Sequence, residues 1–508
     1  MSKYCRRTVL RSAAALTGGA IAIGYGALAL GGPSAAAPLK GNPRFPFLEG
    51  AFAPVREEVT EFDLPVTGRI PRELNGRYLR IGPNVLGLED PRAHHWMLGE
   101  GMVHGVRLRD GRAEWYRNRW VRSSSVARKL GEPYPWPVPE QDYACNTHVI
   151  AHNGRILTLL ESGPPPYELD GELNTLGPYD FGGTLDGAFT AHTKFDAQVN
   201  ELHAISYSPL WDHVRHLVVD AEGRVTRTRM IPVAGSPMMH DFALTQRHVV
   251  LFDVPVTFDP EAAAAGDPVP YVWNDKHPPR VGVLPRSGGQ VRWFDAPRAV
   301  VFSHTLNAYD HGHSVVVDVT TFPAPFYAGG RGSGGPGATG TPSLDRWTID
   351  LAHGRLRTIR IDDRPQEYPR INDALVAHRH RYGYSASAAE MFQAYLTVDG
   401  AVPDRAFHNA LIKHDLVRGS SEVHRFAKGA AASEPVFVPA SGHGAAGRRI
   451  AEDDGYVLAY VHNPDRNASD LVILAAQDFG GKPVARVHLP ARVPLGFHGN
   501  WVPDAVSS

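Results

Sequence analysis

Four of the 25 histidines stand where the end of a strand could aim an imidazole away from its sheet. They are His192 in "FTAHTKFD", His240 in "GSPMMHDFALT", His304 in "VFSHTLNAYDHGHSVVVDV" and His498 in "RVPLGFHGNWVPD". Each lies at the junction of a polar or glycine-containing turn and an apolar run. Any one alone is more often a satisfied structural histidine than a ligand. Gathered at one point, neutral imidazoles suit iron, copper, nickel or zinc; magnesium and calcium prefer oxygen. A ligating histidine also needs an acceptor for its other ring N–H, often a carboxylate. Glu161 in "LLESGPPPYEL", Glu367 in "PQEYPRIND" and Glu434 in "ASEPVFVPA" are candidates. Most glutamates are simply solvated, but Glu161 directly follows an apolar run and Glu434 is embedded in one. Residue chemistry does not choose among the four metals.

Something must bring these residues together across gaps of 48, 64 and 194 positions. The chain is punctuated by strand-length apolar runs bounded by Gly, Asp, Asn or Pro, such as "RILTLLE" (155–161), "HVVLFDVPV" (248–256), "HSVVVDVTTF" (313–322), "YVLAYVHN" (456–463) and "DLVILAA" (470–476). Helical periodicity is scarce, and short helices are expected at most over 371–380 and 388–396. The class is therefore all-β, as several sandwiches or one propeller. Seven blades over the roughly 470 residues from 38 to 508 would take about 65 residues each, and the gaps then read as one blade, one blade and three. The glycine-rich stretch at 327–343 reads as a surface loop and only a weak boundary, since similar runs lie on both sides.

Composition is that of an ordinary globular chain: 508 residues, 43% hydrophobic and 21% charged. The formal charge of -1 gives no electrostatic case for nucleic acid or an anionic membrane. Residues 1–37 form a separate unit with a basic start, an apolar stretch from Ala13 to Leu30, and small residues suited to cleavage. Arg6-Arg7 resembles the twin-arginine export type, which carries folded proteins to the periplasm, cell envelope or medium. An uncleaved segment would instead hold the protein at the cytoplasmic membrane. Cleavage removes Cys5 and leaves Cys145 alone, without an intramolecular disulfide.

Taken together with "NGRYLRIGPN" (75–84), "HHWMLGEGMVHGVRLRDGRAEWYRNRWVRS" (94–123), "VGVLPR" (281–286), "EYPRIN", "EPVFVP", "EDDGYVLAYV" (452–461) and "PLGFHGNWVP", the chain resembles the carotenoid cleavage oxygenases. The resemblance covers 38–508 and implies a single seven-bladed β-propeller with short helices and long loops capping the active face. It implies Fe2+ held by His192, His240, His304 and His498, with Glu161, Glu367 and Glu434 orienting three of them. Thr147 matches the position beside an open coordination site. The implied reaction adds dioxygen across a conjugated C=C bond of a hydrophobic polyene, giving two carbonyl products, in a dry tunnel that selects the bond. The flanking glycines of His498 are expected to make a tight turn back to the axis, with Phe497 and Trp501 as anchors.

Relatives usually carry Tyr, Phe and Asp where this chain has His94, Met97 and Glu100, and an aromatic residue where it has Ser303. Stilbene cleavers grip a phenol with a Tyr and a Lys; His94 and Ser125 occupy those places here, favouring a carotenoid or apocarotenoid. A noncatalytic polyene-binding propeller would lack a histidine, and none is missing. Retinoid isomerisation sits poorly with a bacterial-type export signal. Because carotenoids partition into membranes, an apolar patch for peripheral membrane contact is expected at the tunnel mouth, with 262–273 contributing Val272 and Trp273.

Overall fold

A computed structural model of the chain describes residues 46–504, apart from 89–90, 92–93, 95, 140–141, 143–144, 162, 267–268, 297–299, 324–341, 389–408 and 441–450. The export segment, nearly all of the glycine-rich stretch and the helix expected at 388–396 lie outside the described residues. Within them, seven antiparallel sheets form the blades of a β-propeller. Blades 2 to 6 follow the chain with innermost strands His148–His152, Thr193–Asp196, Phe242–Leu244, Val300–His311 and Gln366–Arg370. Blade 7 starts near Ala431–Ala432 and Val436–Pro439. Blade 1 is built from both ends of the chain: Gly76–Pro83 pairs with the C-terminal strand Gly499–Pro503, its innermost member. A second closure pairs Val66–Gly68 with Ala485–His488 on the outside of blade 7.

The alternation of strand chemistry follows from this packing. Middle strands are covered on both faces by neighbouring blades, so His248–Asp253 and Ala468–Ala475 read as continuous apolar runs and are almost wholly buried. Outer strands face water, and Arg355–Asp362 is accordingly polar and exposed. The helix expected over 371–380 reduces to one 3₁₀ turn, Asp373–Leu375, capped by the Asn372 side chain. Its flanks are recruited elsewhere, since Asn307 Nδ2 bonds to the carbonyls of Leu375 and His378. In the stretch 262–273, Tyr271–Trp273 forms a hairpin with Val256–Phe258, Tyr271 is buried and Val272 and Trp273 are half-buried.

Many histidines are spent on the fold. His104 lies beside the Tyr116 hydroxyl at 3.0 Å, and His203 and His216 stack with 3.0 Å between ring nitrogens. Burial is the first cause that pushes His104 and His203 down to about 3, and it takes His216 further below its ordinary value. These bases charge more readily unfolded than folded. Their contribution is therefore complete above the unfolded value near 6.5 and is lost as pH falls through the window down to about 3. At pH 5 one such group costs about 2 kcal/mol of stability. The thermal midpoint is expected to drop steadily from pH 7 to pH 5, and His104→Asn, which keeps a partner for Tyr116, should flatten the slope. A midpoint unchanged over that range would contradict this account.

Candidate metal centre

The structure places the four histidines on blades 3, 4, 5 and 1, at successive separations of one, one and three blades around the ring. His192 precedes the innermost strand of blade 3, His240 stands two residues before that of blade 4, and His498 precedes that of blade 1. His304 lies inside the innermost strand of blade 5, where the register slips between Phe302 and Thr305. That irregularity turns the imidazole out of the ladder.

Ring centroids lie 4.4 Å apart for His192 and His240, 4.7 Å for His192 and His498, 4.7 Å for His304 and His498, and 5.0 Å for His240 and His304. One nitrogen each from His192, His240 and His304 falls within 4.8 Å of the others. His498 is outside that tightest group, although its ring packs equally close.

Each glutamate meets one histidine. His240 Nδ1 donates to Glu161 Oε2 at 2.8 Å, His304 Nδ1 to Glu367 Oε2 at 2.6 Å, and His498 Nδ1 to Glu434 Oε1 at 2.9 Å. The remaining carboxylate oxygens are also engaged. Glu161 accepts from the Tyr207 hydroxyl, Glu367 from Thr320 Oγ1 at 2.7 Å, and Glu434 from the Gly499 N–H at 2.8 Å, with Arg370 Nη1 at 3.3 Å. Burial alone would raise all three carboxyls. The facing histidines, and Arg370 ahead of His498 for Glu434, hold them below the ordinary range, so they are ionised.

Because carboxylates accept at Nδ1, three imidazoles turn Nε2 inward, and Nε2 of His240 and His304 approach to 3.1 Å. Nε2 of His192 is buried without a hydrogen-bond partner among the described residues. Burial, followed by the neighbouring imidazoles, pushes His192 well below its ordinary value and keeps it neutral. Burial likewise lowers His498 despite Glu434, whereas for His240 the opposing pull of Glu161 prevails and raises it. The charges point the same way. Three ionised carboxylates stand behind the histidines, and Arg370, close to one of them, is itself shared with Asp373, so the surroundings are net negative and favour a cation. Inward lone pairs, an orphaned buried nitrogen and this negative charge fit a bound divalent transition metal.

Thr147 is buried at the start of blade 2, its carbonyl accepting the His498 N–H at 3.0 Å and its hydroxyl donating to Asn146 Oδ1 at 3.0 Å. Neither Gly496 nor Gly499 takes a positive φ. Their role is close approach: a Cβ on Gly496 would meet Gly82 Cα at 2.6 Å, and one on Gly499 would meet Leu79 O at 2.4 Å. Phe497 does anchor the segment, against Trp96 with centroids 5.0 Å apart, within a cluster that includes Phe47 and Phe52. Trp501 packs half-buried against the core of blades 1 and 7.

Three participants escape a reading of the sequence by residue type. Arg370 is recognisable only by the carboxylate it faces. Tyr368 adopts φ +54°, a costly conformation for a bulky residue, and packs its buried ring 5.6 Å from His304 and 5.5 Å from His498. His148 stands beside His498, with centroids 5.2 Å apart. Only its place next to Thr147 could have drawn notice.

The family model described as "RPE65: Retinal pigment epithelial membrane protein" matches residues 52–503. A carotenoid cleavage oxygenase of Mycobacterium tuberculosis is 45% identical, with 90% of this chain and 97% of that one covered. An isoeugenol monooxygenase of Pseudomonas nitroreducens is 31% identical over 91% of this chain and 99% of its own. The crystal structure of Pseudomonas brassicacearum lignostilbene dioxygenase superposes with a TM-score of 0.80 at 29% identity, covering 92% of this chain and all of that one. With a propeller of seven blades, an axial histidine cluster and a family match spanning nearly every described residue, the chain belongs to the RPE65 and carotenoid cleavage oxygenase family.

Proposed function

We propose that the protein is an iron(II)-dependent dioxygenase that cleaves one C=C bond of a carotenoid or apocarotenoid into two carbonyl products. The observation that carries this reading is the axial set of four inward imidazoles over three ionised carboxylates, in a chain 45% identical to a carotenoid cleavage oxygenase. His192, His240, His304 and His498 would hold the metal. Bound Fe(II) supplies the activation of dioxygen that an organic side chain cannot. The reaction balances without a reductant, one oxygen atom entering each product. Glu161, Glu367 and Glu434 fix three tautomers, and Thr147 holds the His498 main chain. Tyr368 sets a buried aromatic ring beside His304 and His498, an apolar surface suited to a polyene.

A phenolic stilbene is the second reading, favoured by the likeness to the lignostilbene dioxygenase. The helix Ser124–Leu130 argues for the polyene. It carries Ser125, and its lysine, Lys129, is committed to the buried Glu100 carboxylate and to the Leu86 carbonyl. Iron-loaded protein incubated with β-carotene, an apocarotenal and resveratrol should give aldehydes from at least one of the first two, read by product chromatography. Products from resveratrol alone would move the assignment to stilbenes, and no product from any would leave a binding propeller.

Export and membrane contact complete the proposal, supported by Arg6-Arg7 and by the expected lipophilicity of the substrate. The mature chain should float with liposomes and lose this with Val272→Asp and Trp273→Asp, while Arg6→Lys with Arg7→Lys should retain the full-length chain in the cytoplasm. Wild-type flotation in the first pair, or unchanged export in the second, would refute the respective part.

A further inference from the structure

Blade 2 lies between blades 1 and 3 and gives none of the four axial histidines. Yet the opening of its innermost strand touches both neighbours at the residues that matter. The Thr147 carbonyl accepts the N–H of His498 at 3.0 Å. The next side chain turns the other way, and His148 Nδ1 lies 3.0 Å from the Ala191 carbonyl, one residue before His192. A carbonyl oxygen can only accept, so Nδ1 of His148 carries the proton. Its Nε2, buried and without a partner among the described residues, is then a bare lone pair.

His192 is the member of the four with no carboxylate on its ring among the described residues. We infer that His148 is a positioning residue for His192. Its Nδ1–H, anchored on the Ala191 carbonyl, holds the peptide that aims His192 at the axis. It does through the main chain what Glu161, Glu367 and Glu434 do through the ring nitrogens of the other three. Charge explains why the fourth support is not a carboxylate. Three ionised carboxylates already stand behind the other histidines, and a support that acts through an Nδ1–H on a main-chain carbonyl adds no further negative charge.

The inference rests on the four-histidine reading, and its test separates the two. Cobalt(II) is titrated into the metal-free protein and its visible d–d absorption recorded for His148→Asn, His148→Gln and His192→Ala. The Asn amide nitrogen overlays Nδ1 and can still donate to Ala191; the Gln amide overlays Nε2 and cannot. His148→Asn should bind within about threefold of the wild type with the same spectrum, and His148→Gln at least tenfold more weakly with altered bands. Equal affinities for the two variants, strong or weak, would overturn the inference. So would a metal-free Gln variant melting well below the Asn variant, because the effect would then belong to folding. Undiminished binding by His192→Ala would instead sink the four-histidine reading itself.

Discussion

His498→Ala should yield a folded protein that has lost its metal and, with it, at least a thousandfold in turnover, about 4 kcal/mol of transition-state stabilisation. The residue stands ten positions from the chain end, yet its ring is 4.7 Å from both His192 and His304. Its removal leaves three inward nitrogens and an open side next to Glu434. The fold should survive because the closing strand does not depend on the imidazole. Gly499–Pro503 remains paired with Gly76–Pro83, and Asp504 is held by Arg77 at 2.8 Å and Arg107 at 3.1 Å. Iron content per chain and the thermal midpoint should therefore separate, with metal falling far below one equivalent while the metal-free midpoint moves little. His313→Ala, at an exposed position, should change neither. Full iron occupancy in the His498 variant would contradict the assignment.

The separation of the four histidines around the ring was legible because a propeller spends a nearly constant length of chain per blade. Gaps of 48, 64 and 194 residues therefore translate into one, one and three blades. Two of the carboxylates were legible from their neighbours, Glu161 just after the apolar strand Arg155–Leu159 and Glu434 just before Val436–Pro439, on blades that carry none of the four histidines. What remained hidden is what depends on pairs of side chains far apart in sequence. Arg370 is one arginine among many until Glu434 stands 3.3 Å away. Nothing in the letters "EYPRIN" announces that Tyr368 takes a positive φ. The glycines beside His498 are visible in the sequence, but the close approach of Gly76–Pro83 that requires them is not. Packing distances of this kind are set by the whole ring, and no local pattern encodes them.

Glu434→Gln should be the most damaging change outside the histidines. Glu434 accepts on both oxygens, from His498 Nδ1 at 2.9 Å and from the Gly499 N–H at 2.8 Å, with Arg370 beside the second. Glutamine offers one acceptor and one donor. With its oxygen towards His498, its NH₂ confronts the Gly499 N–H and the Arg370 guanidinium, donor against donor. Flipped, its NH₂ faces His498 and forces the proton to Nε2, which removes the inward lone pair. Neither orientation works, and Arg370 loses one of its two carboxylate partners while keeping Asp373 at 3.1 Å. Metal affinity should fall roughly a hundredfold, at the upper end for residues that orient ligands. Glu161→Gln is the informative comparison. Its second oxygen meets the Tyr207 hydroxyl, which can rotate to accept from an amide, so the loss there should be nearer tenfold. Adding Arg370→Met to Glu434→Gln should restore much of the stability measured by urea unfolding but none of the metal affinity. Equal losses at Glu434 and Glu161 would show that the count of negative charge governs the site and that hydrogen-bond geometry does not. Recovery of metal binding in the double variant would show that Glu434 serves chiefly to neutralise Arg370.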